Sequence, residues 1–320
     1  MVTEPKTLQD AIIFYSNPDN CIAYLVARRW PDGVVKCPTC GSEGVRYVAS
    51  RRVWQCKTRH AKCQFSIKVG TVMEDSAIGL DKWLTAMWMV ANCRNGVSSH
   101  EIARSLGVTQ KSAWFMLHRI RLAMKDEGAE KIGGSPKNPV EIDETYVGGT
   151  KKNMHLKRRI AYQNGDKKAI VMGMKTRNTR EVRAMVVPNA KRETLQNKIL
   201  ENVGWGAHIH TDQAGAYDGL NATNLFVHKT VNHMVEYVKG NVHTNGIENF
   251  WSLLKRTLKG TYVAVEPFHL DAYVTEQVFR FNNCSKKMND AGRLSLTVKQ
   301  MVGKRLTYQD LTGKVAARPF

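Results

Sequence analysis

The chain has 320 residues, 42% of them hydrophobic, and is strongly basic: 48 Lys and Arg stand against 28 Asp and Glu, a formal net charge of +20. It contains no apolar run of the roughly eighteen residues a membrane helix needs. The opening MVTEPKTLQD has no charged start leading into an apolar stretch, so the expectation is a soluble, cytoplasmic protein without a signal peptide or membrane span. The length exceeds one ordinary core and sets two or three domains as the starting point, while the charge excess asks for a polyanion, nucleic acid being the usual one.

Residues 1–33 read as a short helical lead-in, broken at Asn17-Pro18 and closed by the turn Pro31-Asp32-Gly33. Residues 34–75 carry four of the seven cysteines, Cys37, Cys40, Cys56 and Cys63. An odd cysteine count, clustered in a chain without a secretory signal, points to metal rather than disulfides. Cys37-Pro-Thr-Cys40-Gly41 is a zinc-ribbon knuckle, in which the glycine lets the turn fold back and aim backbone N–H groups at thiolates. Cys56 takes either His60 or Cys63 as its partner. Cys63 is preferred because Gln64-Phe65-Ser66 resumes a strand-like pattern directly after it, which makes His60 a loop residue.

From Leu80 the apolar period becomes helical, with Leu80, Trp83, Leu84, Met87, Trp88, Val90 and Ala91 on one broad face. Ser98 opens a further helix with Glu101 three residues on, Gly107 makes a tight turn, and Thr109 caps the next helix. Residues 76–126 are therefore expected to form a helix-turn-helix DNA-binding region, with Gln110, Lys111 and Arg119 facing a groove. Residues 127–139 are a Gly- and Lys-bearing linker. Beyond it the pattern is α/β. Strands are predicted at Val140–Tyr146, Ala169–Met174, Val182–Val187 and Ala207–Thr211. Helices are predicted at Arg192–Val203, Asn245–Leu258 and Phe268–Phe281. Residues 140–290 form this domain and 291–320 a C-terminal tail. Within 151–200 fourteen Lys and Arg face three acids, a clustering suited to phosphates.

Three acids sit where elements begin or end. Asp143 shares one face of its strand with Glu141; Asp212 ends a short strand; Glu248 lies in the first turns of a helix. On that helix Ile247, Phe250, Trp251 and Leu254 make the buried stripe. Asn245, Glu248, Ser252 and Lys255 make a polar one, which puts Lys255 two turns along from Glu248. Carboxylates from two strands and a helix can bind two divalent ions, Mg²⁺ or Mn²⁺, that activate a water or a 3′-hydroxyl for phosphodiester attack. Taken singly, each acid reads equally well as a cap or an exposed strand residue. Taken together, beside the basic segment, they read as a site.

The chain resembles the zinc-ribbon insertion-sequence transposases of the DDE superfamily over nearly its whole length. The matching stretches are Phe65–Thr71 with Asp75-Ser76, Thr109–Trp114, Asp143–Gly149, His243–Trp251, Gly260-Thr-Tyr262, His269-Leu and Phe279–Asn283. The resemblance implies an RNase H-like mixed-sheet catalytic domain behind the zinc ribbon and helix-turn-helix. It implies Asp143, Asp212 and Glu248 as first, second and third acid, with Lys255 as the basic residue seven positions on. Asn245 is a further contributor to consider, since some members carry another residue in place of the third acid. The implied activity is recognition of terminal inverted repeats, cleavage of strand ends and joining of 3′-hydroxyls to target DNA, by a homodimer or larger assembly on double-stranded DNA. Two departures stand out: the stretched spacing of Cys56 to Cys63, and Cys284 where the family pattern leads one to expect Arg after Asn282-Asn283.

Overall fold

The computed structural model describes residues 4–148, 168–212, 215–231, 243–284 and 288–313. The 151–167 part of the basic segment and Gly149 of the first acid motif lie outside the described residues. The chain divides into two compact units, residues Met1–Asp126 together with Asn283–Phe320, and residues Glu127–Asn282.

The first unit opens with α1 (Leu8–Tyr15), held by a capping box in which Thr7 and Asp10 satisfy each other's backbone N–H. It continues with α2 (Pro18–Arg29), capped by Asn17 with Pro18 in the first turn, where its missing N–H costs nothing. A three-stranded antiparallel sheet follows, in the order β1 (Val45–Val48), β2 (Val53–Cys56), β3 (Gln64–Phe65). So small a sheet has room for little apolar core. Buried Trp54 supplies most of it, stacked on Phe65 at 5.9 Å between ring centroids and flanked by Tyr47 at 4.9 Å.

Next comes α3 (Leu80–Asn92), whose predicted apolar face is buried from Trp83 to Ala91. Then α4 (Ser99–Leu106) ends at Gly107, in the left-handed region at φ 61°, and α5 (Gln110–Met124) begins at its Thr109 cap. The caps are those expected: Ser98 accepts from the Glu101 N–H and Thr109 from the Ser112 N–H, both at 3.1 Å. Gln110 and Lys111 are exposed at the start of α5. Arg119 departs from its predicted role. It is buried, its Nε donating to the Leu306 carbonyl at 3.0 Å and its Nη1 to the Glu74 carbonyl at 2.8 Å. From Met116 onward α5 is covered nearly all round, so Arg119 ties chain segments together and does not face a groove.

The second unit is built on a five-stranded sheet. Its strands are β5 (Val140–Val147), β6 (Ala169–Thr176), β7 (Val182–Val187), β9 (His208–Asp212) and β10 (Val227–Val231), in the spatial order β10-β9-β5-β6-β7. The pairs β5/β6 and β6/β7 are antiparallel, while β9 runs parallel to both β5 and β10. A short parallel pair joins β4 (Ile132–Gly133) to β8 (Val203–Gly204), just after α6 (Arg192–Asn202). Alternation along the strands feeds two cores. Val140, Ile142, Met172 and Met174 pack on Leu195 and Ile199 of α6. Val171 and Val182 pack on Ile247, Phe250 and Leu254 of α7 (Asn245–Thr257) and on Val274 of α8 (Leu270–Asn282). The sheet is thus covered on both faces, and residue parity decides which core a side chain enters.

After Asn282 the chain is again part of the first unit. Helix α9 (Asp290–Gln300) is fastened to α3 by Arg293 Nε, which donates to Asn92 Oδ1 at 2.7 Å, and it buries Leu294 and Val298. A backbone bridge joins Thr71 to Val302 before the final helix, α10 (Tyr308–Thr312). No helix among the described residues is long and apolar enough to cross a membrane.

Candidate metal centre and candidate active site

Among the described residues one group of Cys, His, Asp and Glu brings all its ligand atoms within 4.8 Å of one another: Cys37, Cys40, Cys56 and His60. The Cys40 and Cys56 sulfurs are 3.7 Å apart and Cys37 Sγ is 3.4 Å from His60 Nε2. A tetrahedral zinc with Zn–S near 2.3 Å and Zn–N near 2.0 Å sets S···S and S···N edges of about 3.8 and 3.5 Å. The observed spacings fit that ion. Burial pushes the Cys37 thiol up, but the Cys40 and Thr39 N–H groups outweigh it and leave Cys37 below its ordinary value. Cys40, although the Ser42 N–H favours its thiolate, is raised by burial and by the Cys37 and Cys56 thiols beside it. Thiols competing in this way for protons are relieved by a shared cation.

The fourth position corrects the expectation: His60, not Cys63, completes the set. Cys63 sits at the end of the β2/β3 ladder, where its carbonyl accepts from the Cys56 N–H at 2.8 Å. The six residues between them curl back over the knuckle. His60 Nδ1 lies 2.7 Å from the Ala61 carbonyl, and donation there leaves the Nε2 lone pair for a metal.

In the second unit, Glu141 of β5 pairs with His210 of β9 in the parallel register. Two residues further along both strands are Asp143 and Asp212, which therefore lie on the same face. That face is the one covered by α7. Trp251 Nε1 of α7 donates to Asp143 Oδ2 at 2.9 Å. Trp251 comes that close because β6 has Gly173 opposite Asp143; a Cβ there stands 2.6 Å from Trp251 Cζ2 and 2.9 Å from Ile247 Cδ1. Glu248, in the first turn of α7, accepts from the Thr244 hydroxyl at 3.0 Å and is exposed. The expected stripes on α7 are both present, with Ile247, Phe250, Trp251 and Leu254 buried and Asn245, Glu248, Ser252 and Lys255 exposed.

Burial pushes the Asp143 carboxyl up to about 6; the Trp251 hydrogen bond opposes this, and the negative charges of Asp212 and Glu248 add to it. Asp212 and Glu248 thus both act on Asp143. Glu144, pointing to the opposite face, is pushed up to about 8 by burial and by Asp143 and Asp212, and it accepts a short hydrogen bond from the Tyr217 hydroxyl. Sequence reasoning passed over Glu144 and gave Trp251 only a packing role. A glycine inside an apolar strand, Gly173, was the available signal of a close approach.

A second set of contacts lies behind Asp143. Glu141, 1% exposed, has its Oε1 3.1 Å from Arg177 Nε and 3.4 Å from His243 Nδ1, and its Oε2 accepts from the Ile247 N–H at 3.0 Å. Arg177 Nη2 also donates to the His243 carbonyl at 3.0 Å and to His210 Nδ1 at 3.2 Å. Burial and the charge of Arg177 hold His210 down to about 4, so its ring is the neutral acceptor that this contact requires.

Residues 135–282 match the ISXO2-like transposase domain, and residues 16–64 match the transposase zinc-ribbon domain. An uncharacterised protein in the transposable element ISH50 of Halobacterium salinarum is 30% identical over 243 residues, covering 72% of this chain and 79% of that protein. An uncharacterised transposase-like protein of Haemophilus influenzae is 34% identical over 107 residues, 33% of this chain and 85% of that protein. Among solved structures, the simian T-cell lymphotropic virus intasome in complex with PP2A regulatory subunit B56 gamma aligns with a TM-score of 0.29 at 12% identity, covering 60% of this chain and 66% of that chain, too distant to bear on the fold. With a zinc-binding ribbon in front and the matched domain behind, the chain belongs to the ISXO2-like transposase family.

Proposed function

We propose that the chain is a DDE-type DNA transposase that recognises the terminal inverted repeats of its element, cleaves the strand ends and joins their 3′-hydroxyls to target DNA. Asp143, Asp212 and Glu248 would hold two divalent cations, Mg²⁺ or Mn²⁺. The observation that carries this reading is that Asp143 and Asp212 each stand two residues beyond the Glu141/His210 pair of adjacent parallel strands, with the helix bearing Glu248 anchored to Asp143 through Trp251. Support for an RNase H-like catalytic unit comes from the sheet itself: an antiparallel β5-β6-β7 meander with two parallel strands added on the far side of β5.

The donor set fits the ions. Carboxylate oxygens suit hard divalent cations, and the mutual repulsion of the three acids at Asp143 is what a cation offsets. When bound, the ions activate the attacking water or 3′-hydroxyl and stabilise the leaving oxygen. The chain's own part is orientation. Trp251 fixes the rotamer of Asp143, and the Thr244 hydroxyl steadies Glu248. Lys255, exposed two turns along the same stripe, would meet a phosphate of the bound strand. Gln110 and Lys111 at the start of α5 are the candidates for reading repeat DNA, by a helix-turn-helix made of α4 and α5. Repeats come in pairs, so a homodimer or larger assembly on double-stranded DNA is part of the proposal.

The test is a strand-transfer assay on paired terminal repeats with Mg²⁺ or Mn²⁺. Wild-type protein should give joined products, and Asp212→Asn should give neither nicks nor joints while still binding the DNA. Activity that survives Asp212→Asn overturns the mechanism; nicks without joints from the wild type would leave only a nuclease.

A further inference from the structure

We propose that Glu141 and Arg177 are positioning residues that set the register of the three acids before any ion arrives. The inference rests on the reading of Asp143, Asp212 and Glu248 as ion ligands and names what holds them. Each element bearing an acid is gripped within two residues of it. Glu141 precedes Asp143 by two residues on β5. His210, which accepts from Arg177 Nη2, precedes Asp212 by two on β9. Ile247, whose N–H is taken by Glu141 Oε2, directly precedes Glu248, and Arg177 holds the His243 carbonyl at the entrance to the same helix.

One ion pair therefore connects β5, β9 and α7 at once, alongside the β5/β9 ladder and the Trp251–Asp143 hydrogen bond, each of which joins only two of the three. Gly246 allows the helix to reach it, since a Cβ there stands 2.5 Å from Glu141 Oε2. Lys175, opposite Glu141 on β6 and also buried, adds a second cation on the same carboxylate's side of the sheet. A buried ion pair is weak as a source of stability, because desolvation offsets its attraction, and apolar pairs of similar volume do as well. What it supplies is direction. A carboxylate with two oxygens and a planar guanidinium with fixed donors accept partners only at set angles. Three acids must face one pair of ions from three elements, and this pair fixes the angle of each.

The test uses the full chain with its zinc in place and measures Mn²⁺ binding at the acids by electron paramagnetic resonance, alongside thermal unfolding and the Mn²⁺ dependence of cleavage. Asp143→Asn is the reference that removes the acid site. In Glu141→Gln/Arg177→Gln, which removes both charges of the pair, and in Arg177→Lys, which keeps the charge without the fork, the chain should stay folded. Both should need roughly tenfold or more Mn²⁺ for half-saturation, with cleavage recovering at high Mn²⁺. A folded variant of either kind with wild-type Mn²⁺ dependence overturns the positioning role. If Asp143→Asn itself binds Mn²⁺ as the wild type does, the ion-ligand reading fails first, and the two failures are told apart.

Discussion

Asp143 and Glu144 are neighbours on one strand yet serve opposite faces of the sheet, and both carboxyls are held above their ordinary values, at about 6 and about 8, chiefly by burial. A carboxyl whose folded value is raised contributes stability below its unfolded value and loses that contribution as pH rises through the folded value. The metal-free chain should therefore lose stability between about pH 4 and pH 8. Added Mg²⁺ or Mn²⁺ at pH 8 should restore the Asp143 share of it, because cations take the place of that proton, and leave the Glu144 share lost. Thermal unfolding across that range, with Asp143→Asn/Glu144→Gln as reference, checks the sign; a profile that rises with pH, or that the double variant leaves unchanged, defeats the account. Gly173 is the other residue on which Asp143 depends. Gly173→Ala drives a methyl into the Trp251 ring and should cost about 1–3 kcal/mol by overpacking. If Trp251 is displaced, activity should fall further than stability does, and a crystal structure with Trp251 unmoved would sink that second expectation.

Among the elements, the ribbon decides most. Structural zinc sites of this kind contribute on the order of 10 kcal/mol of apparent binding energy, and a small aromatic core around Trp54 has little to replace it. His60→Ala should lower zinc affinity steeply and expose the ribbon to proteolysis, whereas Cys63→Ser should change neither; zinc retention measured on the two purified variants separates them, and the reverse result would return the fourth ligand to Cys63. What was legible in the sequence follows the same physical line. Strands β6 and β7 were visible as apolar runs in a sheet covered on both faces, and β5 through the alternation of Val140 and Ile142 with Glu141 and Asp143. Helix α7 was visible because its two stripes alternate at helical spacing. Strand β10, Val227-His-Lys-Thr-Val231, was missed: it is short, polar and pairs on one side only. Helix α9 was missed behind its early Gly292. The choice of His60 over Cys63 depends on how a six-residue loop folds back, and Arg119 on what covers the far end of α5. Neither is a local property. The Glu141–Arg177 pair is the same case at longer range, since the partners stand 36 positions apart and meet only once β5 and β6 have paired.

At the scale of the whole chain the dominant quantity is charge. With 48 basic and 28 acidic residues the molecule repels itself, and fourteen of the basic residues fall between positions 151 and 200 against three acids. A polyanion offsets that repulsion by releasing its condensed counterions, so affinity for DNA should fall steeply with salt, in proportion to the phosphates neutralised. For six to ten phosphate contacts the loss between 50 and 200 mM salt is about 10³ to 10⁵-fold. Replacing Lys151, Lys152, Lys157, Arg158 and Arg159 together by Gln should make the slope of log affinity against log salt shallower by about 4.5 units, near 0.9 per charge removed. Base-specific contacts obey different rules: Gln110→Ala should narrow the gap between repeat and unrelated DNA while leaving the salt slope alone. The two variants thus separate attraction from recognition. Fluorescence anisotropy titrations on repeat and scrambled duplexes at several salt concentrations measure both, and a charge-depleted chain with an unchanged slope would mean that the phosphates are met elsewhere on the molecule.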